Sequence, residues 1–306
     1  METHKISSQI EIAKPNPSLA TPETRIAERF EKWLLARQAK RPHSLAEHLN
    51  SFIDRRIHKD VQEYLDNPEV SIQTRLSIMD ALNRVLNWTG FYALVIRELE
   101  SVVGTGPHLR PIRILDIGAG GGGLLKNIYR WAKKKGVPVE LSGTDFSGEF
   151  VEALQERFER EKIPVNLFQG NACHLANVAN GSFDFVTSTF MVHHLRRPEY
   201  IVSFLAEVYR VARKGWVVMD FDRCLRGLAY MQTCLISANT IPFTKQALKL
   251  VVEDGVKSVR RAYLTQEINF LLKEMNAAGL VPPEMTGAGC GVFPYWVIKG
   301  HKISLR

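Results

Sequence analysis

The sequence predicts an α/β protein: a doubly wound, mostly parallel, Rossmann-like sheet preceded by a helical extension. Three observations carry this. From Arg110 onward, short apolar runs alternate with amphipathic stretches, as in βαβ units around a parallel sheet. The first of those runs ends in a cluster of glycines, Gly118 to Gly123, where a ligand-binding strand turns into a helix. Ahead of Arg110 the apolar residues recur at helical spacing, with no strand-like alternation.

Composition sets the outer bounds. The 306 residues are 45% hydrophobic and 24% charged, which excludes a disordered or fibrous chain. At ~150 residues per folding unit, this length suits two units or one α/β domain with an extension. No run approaches the ~18 apolar residues of a membrane span. The opening METHKISSQIEIAKPNPS has no apolar core, so no secretory signal is expected there. Cys173, Cys224, Cys234 and Cys290 lie far apart without a CxxC pair. They read as reduced thiols of a cytoplasmic protein, with no metal site expected. The net charge of +8 is dispersed, with small clusters at Lys133–Lys135, Arg196–Arg197 and Arg260–Arg261. Lys133–Lys135 close a helical stretch, where cations suit the helix dipole. Solvated helix ends are therefore favoured over a nucleic-acid face.

The elements follow in order. Residues 1–20 are polar and proline-containing, and read as disordered. Residues 21–105 form the helical extension. Thr21-Pro22 is a cap with proline at the first helical position, and Ile26, Phe30, Trp33 and Leu34 share a face. Ser44 and Glu47 fit a capping box, with Leu45, Leu49, Phe52 and Ile53 behind it. After Asp66-Asn67-Pro68, one helical pattern through Ile72, Leu76, Met79, Leu82 and Leu86 is expected to run past Gly90 to Val103. Residues 106–306 form the main domain. Strands are expected at 113–118, 139–145, 165–170, 183–189, 216–221 and 292–299, and helices at 122–135, 147–161 and 199–213. The segment 224–278 is mostly helical, with about 224–260 as an insertion.

The chemistry gathers at the strand ends. Gly118-x-Gly120-x-x-Gly123 meets the dinucleotide pattern, and Gly118-x-Gly120-x-Gly122 meets the S-adenosylmethionine pattern equally well. Asp116 discriminates: a carboxylate two residues before the first glycine repels a pyrophosphate but accepts hydrogen bonds from an ammonium group. Asp145 ends the second strand, where a carboxylate accepts ribose hydroxyls in either kind of site. Asn171 and Ala172 follow the third strand, where a short polar side chain can meet an adenine amino group or simply make a turn. His193 and His194 follow the fourth. One of them can take a proton from an acceptor, or the pair can hold the loop. Adjacent residues of an extended segment point opposite ways, so only one imidazole is expected to face the pocket. Asp220 and Arg223, after the fifth strand, are candidates for binding a polar acceptor at the rim, or for pairing with each other or with Arg226.

These pieces, in this order, resemble the class I S-adenosylmethionine-dependent methyltransferases over about residues 110–300. LDIGAGGGG is similar to their first motif, Asp145 to their ribose-binding acidic residue, and FDFVTSTFMVHHL to the small-molecule branch near the quinone-biosynthesis enzymes. The resemblance implies a seven-stranded sheet whose last strand, VFPYWVIK, is antiparallel, with the N-terminal helices as a lid on the substrate side. It implies S-adenosylmethionine as cofactor, bound by Asp116, Gly118, Gly120, Gly122, Asp145, Asn171 and Ala172, and O- or C-methylation of a small, partly apolar acceptor. Two departures bear on this. Asn171 stands where the family often has aspartate, and no Asn-Pro-Pro-Tyr or Asp-Pro-Pro-Tyr follows the fourth strand, which speaks against nucleobase N-methylation. Three alternatives stay open: an RNA or protein methyltransferase, suggested by the basic charge; an NAD-dependent oxidoreductase; and a nucleotide-binding module without chemistry.

Overall fold

The structure, a computed structural model, describes residues 21–40, 58–59, 61–104, 110–224, 229, 233, 245–289 and 294–302. The expected disorder of 1–20, the capping box at Ser44, residues 225–228, 230–232 and 234–244 of the expected 224–260 insertion, and Cys290 lie outside the described residues.

β1 (Ile112–Ile117) shows how the sheet is built. Successive side chains of a strand point to opposite faces. Accordingly Ile112 and Ile114 enter one apolar core, and Leu115 and Ile117 enter another on the far side. Buried on both faces, the strand is apolar at four of its six positions, with only Arg113 and Asp116 charged. β5 (Ala212–Phe221) splits the same way: Val217, Met219 and Phe221 face the first core, Trp216 and Val218 the second. The other strands are β2 (Val139–Asp145), β3 (Val165–Gln169), β4 (Phe183–Thr189), β6 (Thr286–Gly289) and β7 (Tyr295–His301). They form one seven-stranded sheet in the order β3-β2-β1-β4-β5-β7-β6, with β7 antiparallel to both β5 and β6. β6 has no counterpart among the expected strands. Its sequence, TGAG, carries no branched or aromatic residue to signal it.

Helices cover both faces. α3 (Phe91–Val103), α4 (Gly123–Lys135) and α5 (Gly148–Glu161) fill the first core with Val95, Leu99, Leu125, Ile128, Leu154 and Phe158. α1 (Pro22–Ala39), α6 (Pro198–Val211) and α8 (Thr265–Ala277) fill the second. α1 docks there through Ile26 and Phe30, through a Trp33–Phe270 stack at 4.7 Å, and through Arg37 donating to Glu267 at 2.9 Å. α2 (Ile72–Trp88) and α7 (Lys245–Arg261) meet each other through Ile78, Ala81 and Val251, above the ends of the strands.

The expected single helix from Ile72 to Val103 is two helices. Gly90, at φ 76°, takes the left-handed conformation that L side chains avoid, and α3 starts afresh there. Each half then buries its own apolar face.

At the opposite end of the sheet from the glycine turn, Asp184 is buried. It accepts two hydrogen bonds from Arg110, one from the Arg113 N–H and one from Arg213 Nε. This carboxylate fastens the starts of β1, β4 and β5 to one another. Among the described residues, no helix is long and apolar enough to cross a membrane.

Candidate functional site

β1 lies between β2 and β4, so the chain leaves it in one direction and returns on the other side. Such a reversal opens a crevice beyond the carboxyl ends of the strands. The glycine turn sits in it. Gly118, Gly120 and Gly122 have φ of 76°, 48° and 71°, a run of left-handed conformations open to glycine. The turn is fastened to β2: the N–H groups of Gly118 and Ala119 donate to Thr144 O at 2.8 and 2.9 Å. Gly120 N–H donates to Asp145 Oδ2 at 2.9 Å, and Ser147 N–H to Asp145 Oδ1 at 3.0 Å. Burial raises the Asp145 pKa above the usual carboxylate value, against the pull of these donors.

Asp116 is buried beneath the turn and accepts from Thr187 Oγ1 at 2.9 Å. Burial pushes its pKa up to about 7; the Thr187 hydroxyl opposes this and the Asp145 charge adds to it.

A cavity of about 120 Å³ opens above Asp116, Gly118 and Gly120. Its roof comes from α2 and α7, with Leu82, Leu86, Val251 and Val252 among the apolar wall. Asn83 Nδ2 donates to Gly121 O at 3.1 Å, and Tyr92 Oη donates to Asn83 Oδ1 at 2.7 Å, so α2 rests directly on the turn. Phe190, the residue after β4, has φ 53° and stacks on Phe91 at 4.3 Å, beside Phe221 at 4.5 Å. A non-glycine residue held in that region is strained, and here the strain falls on the cavity wall.

The histidines follow on a 3₁₀ turn, Val192–His194. The expected opposite orientation of the pair does not hold, because the backbone there is helical and not extended. Both imidazoles line the cavity, with ring centres 4.2 Å apart. His193 is buried, and its Nδ1 lies 2.7 Å from Asp220 Oδ1. Asp220 also accepts the N–H groups of His193 at 3.0 Å and Phe221 at 2.7 Å. With the imidazole proton on Nδ1, donated to Asp220, Nε2 keeps its lone pair. His193 Nε2 lies 3.6 Å from Glu63 Oε1. His194 Nδ1 lies 3.0 Å from Asp66 Oδ2. Burial works against the charged form of His194, but the Asp66 and Glu63 charges outweigh it and raise its pKa to about 9. Arg261 Nη1 donates to Glu63 Oε1 at 3.0 Å and to Asp66 Oδ2 at 2.7 Å. Glu63, His193 and His194 have ligand atoms close enough to hold a metal, within 4.8 Å of one another. Each is already engaged, by Arg261, Asp220 and Asp66 respectively, and the cluster is held together by ion pairs and shared protons.

Of the residues expected to bind a cofactor, Asp116, Gly118 and Gly120 line this cavity. Asp145 stands immediately behind Gly120. Gly122 faces α5, where a side chain would strike Phe158. Asn171 and Ala172 are not in the lining; Asn171 Oδ1 accepts from Cys173 N–H at 2.9 Å and makes a turn. Asp220 and Arg223, expected at the acceptor rim, are both buried away from the cavity surface. Asp220 orients His193, and Arg223 donates to Glu267 at 2.7 Å and to Ala262 O at 2.6 Å. Glu63, Asp66, Arg261 and Phe190 escaped the sequence reading. Their roles arise from contacts between distant segments, and the one local hint was a pair of acids three apart before Pro68.

Residues 114–215 match the family described as a methyltransferase domain. The chain is 33% identical over 110 residues to an indolepyruvate C-methyltransferase of Streptomyces griseus, spanning 35% of this chain and 32% of that protein. It is 47% identical over 125 residues to a non-reducing polyketide synthase of Talaromyces marneffei, spanning 36% of this chain and 5% of that protein. The chain thus spans about a third of the first relative and a small part of the second. A solved methyltransferase from Aquifex aeolicus, described as SAM-dependent, aligns with a TM-score of 0.45 at 15% identity, over 68% of this chain and 89% of that one. The matched segment, about a third of the chain, runs from β1 into β5 and includes the glycine turn and both histidines.

Proposed function

We propose that the chain transfers a methyl group from S-adenosylmethionine to a carbon or oxygen atom of a small, partly apolar acceptor, with carbon favoured. The observation that carries this reading is His193, backed by Asp220, opening onto the same cavity as Asp116 and the glycine turn. When bound, the cofactor supplies an electrophilic methyl on a sulfonium. Asp116 suits its ammonium group and Asp145 its ribose hydroxyls. Phe146, exposed beside Asp145, offers a flat face to the adenine. A dinucleotide fits worse, since its pyrophosphate would meet Asp116 beneath the turn. Phe190, Phe221 and the aliphatic roof hold an apolar acceptor, and His193 Nε2 takes its proton. A base held in one tautomer by a buried carboxylate is suited to a weakly acidic carbon. The Streptomyces relative is by name a C-methyltransferase, which points the same way. Positioning acceptor and methyl in line supplies most of the acceleration, and proton removal adds to it.

Calorimetric titration with S-adenosylhomocysteine should show binding that Asp145→Ala abolishes. His193→Ala should lower methyl transfer to a β-keto thioester by about 10²–10⁴-fold and remove the acid limb of the pH–rate profile, with cofactor affinity nearly unchanged. Tight binding of NAD with no response to S-adenosylhomocysteine would overturn the proposal.

A further inference from the structure

Methyl transfer to a carbon or hydroxyl acceptor releases one proton per turnover, and the cavity that receives it is roofed. The group beyond His193 is Glu63, which belongs to the segment leading into α2. Its Oε1 lies 3.6 Å from His193 Nε2, and both residues are buried. Everything around Glu63 ties that segment down. The N–H groups of Tyr64 and Leu65 donate to Asp254 at 2.8 and 3.3 Å, and the Tyr64 hydroxyl donates to Glu253 at 3.0 Å. Arg261 bridges Glu63 and Asp66, and Asp66 pairs with His194. The segment is a strap buckled to α7, and Glu63 is the part of the buckle that touches the proposed base.

We infer that Glu63 takes the proton from His193 after methyl transfer, and that its neutralisation loosens the strap so that product and proton leave together. The step balances simply. The Nε2–H bond of the imidazolium breaks and its electron pair stays on nitrogen. An O–H bond forms on Glu63, and a water or buffer base then removes that proton. The groups facing this exchange are Asp220 from β5, His194 from the 3₁₀ turn, Asp66 from the strap, and Arg261 and Asp254 from α7. Once Glu63 is neutral, its ion pair with Arg261 is lost. Arg261 keeps Asp66, but the grip at the buried end of the strap is weaker. Deprotonation restores the buckle for the next cycle.

The inference rests on the proposed methyl transfer with His193 as base, and two measurements separate the two claims. In the first, hydrogen–deuterium exchange of the full chain is compared with that of Glu63→Gln, whose amide mimics the protonated acid. The Tyr64 and Leu65 amides should exchange about tenfold faster in the variant, while β1 and α4 stay unchanged. Equal exchange in the strap would overturn the latch. The second follows turnover of S-adenosylmethionine with acetoacetyl-N-acetylcysteamine, a β-keto thioester. In Glu63→Gln the first turnover per site should stay within a few-fold of wild type. Later turnovers should be about tenfold slower and recover as imidazole buffer is added, to which wild type is indifferent. Slow turnover without a burst and without buffer response would show a structural role only and overturn the relay. Glu63→Asp offers a variant that keeps the charge while withdrawing the carboxylate by ~1.5 Å. It should keep wild-type exchange in the strap yet show buffer-dependent turnover; the reverse pattern would also overturn the inference. A wild type that leaves the thioester unmethylated would overturn the proposed function, and the exchange comparison still decides the strap.

Discussion

Asp116 holds its proton to about pH 7, because it is buried and faces the charge of Asp145. An ammonium group arriving above it favours the ionised form, so below that pH binding must first expel the proton. Cofactor affinity should therefore fall by up to about tenfold for each pH unit below 7 and level off above it. Titrations in two buffers of different ionisation enthalpy, at about pH 6, should reveal proton release on binding. Asp116→Asn should bind more weakly and lose both effects. That this residue sits beneath the glycine turn was legible in the sequence, from its place two residues before the glycine run. The raised pKa was not legible, because it follows from how completely α2, β2 and β4 close around it. The same divide runs through the histidines. Their place after the fourth strand was readable, while the carboxylates each one pairs with, Asp220 and Asp66, lie in segments that only folding brings near.

Among the elements, those with a strong period were readable and those defined by one backbone angle were not. β1, β4 and β5 carry apolar residues on both of their faces, and the ends of α4 and α5 carry glycine and serine caps. The α2–α3 break depends on Gly90 alone, inside an apolar pattern that continues across it. A Cβ at Gly90 would meet no atom within 4 Å, so Gly90→Ala isolates the cost of the left-handed backbone. That substitution should cost about 1–2 kcal/mol and lower the melting temperature by a few degrees, roughly 2–4 °C. A larger loss would mean that the angle between α2 and α3 had changed. In that case Asn83 would leave the glycine turn and cofactor affinity would fall as well. The 3₁₀ turn holding His193 and His194 was missed for a related reason: three residues are too few to display a period.

At the scale of the whole molecule, the site and the main structural fastening sit at opposite ends of the sheet. Asp184 joins three strands where they begin, and the glycine turn and histidines lie where strands finish. Asp184→Ala would leave the Arg113 N–H without its acceptor and release two half-exposed arginines, at a cost of about 1–3 kcal/mol. Thermal unfolding should show the loss, while the affinity of the surviving folded protein for S-adenosylhomocysteine should match wild type. A parallel drop in affinity would show that the two ends of the sheet are coupled. The alternation of strands and helices was enough to read this architecture, but not the position of β6, whose small residues carry no strand signal.

The placement of β7 has a consequence for how the chain is made. A ribosome delivers β5 well before β7, yet β7 is the neighbour that covers the outer edge of β5. Until residues 295–301 emerge, that edge presents unpaired amides along an apolar stretch that includes Trp216 and Val218. An open, greasy edge invites pairing with another nascent chain. The fold is thus most exposed to aggregation between the emergence of β5 and that of β7, while the sheet waits for the strand that covers this edge.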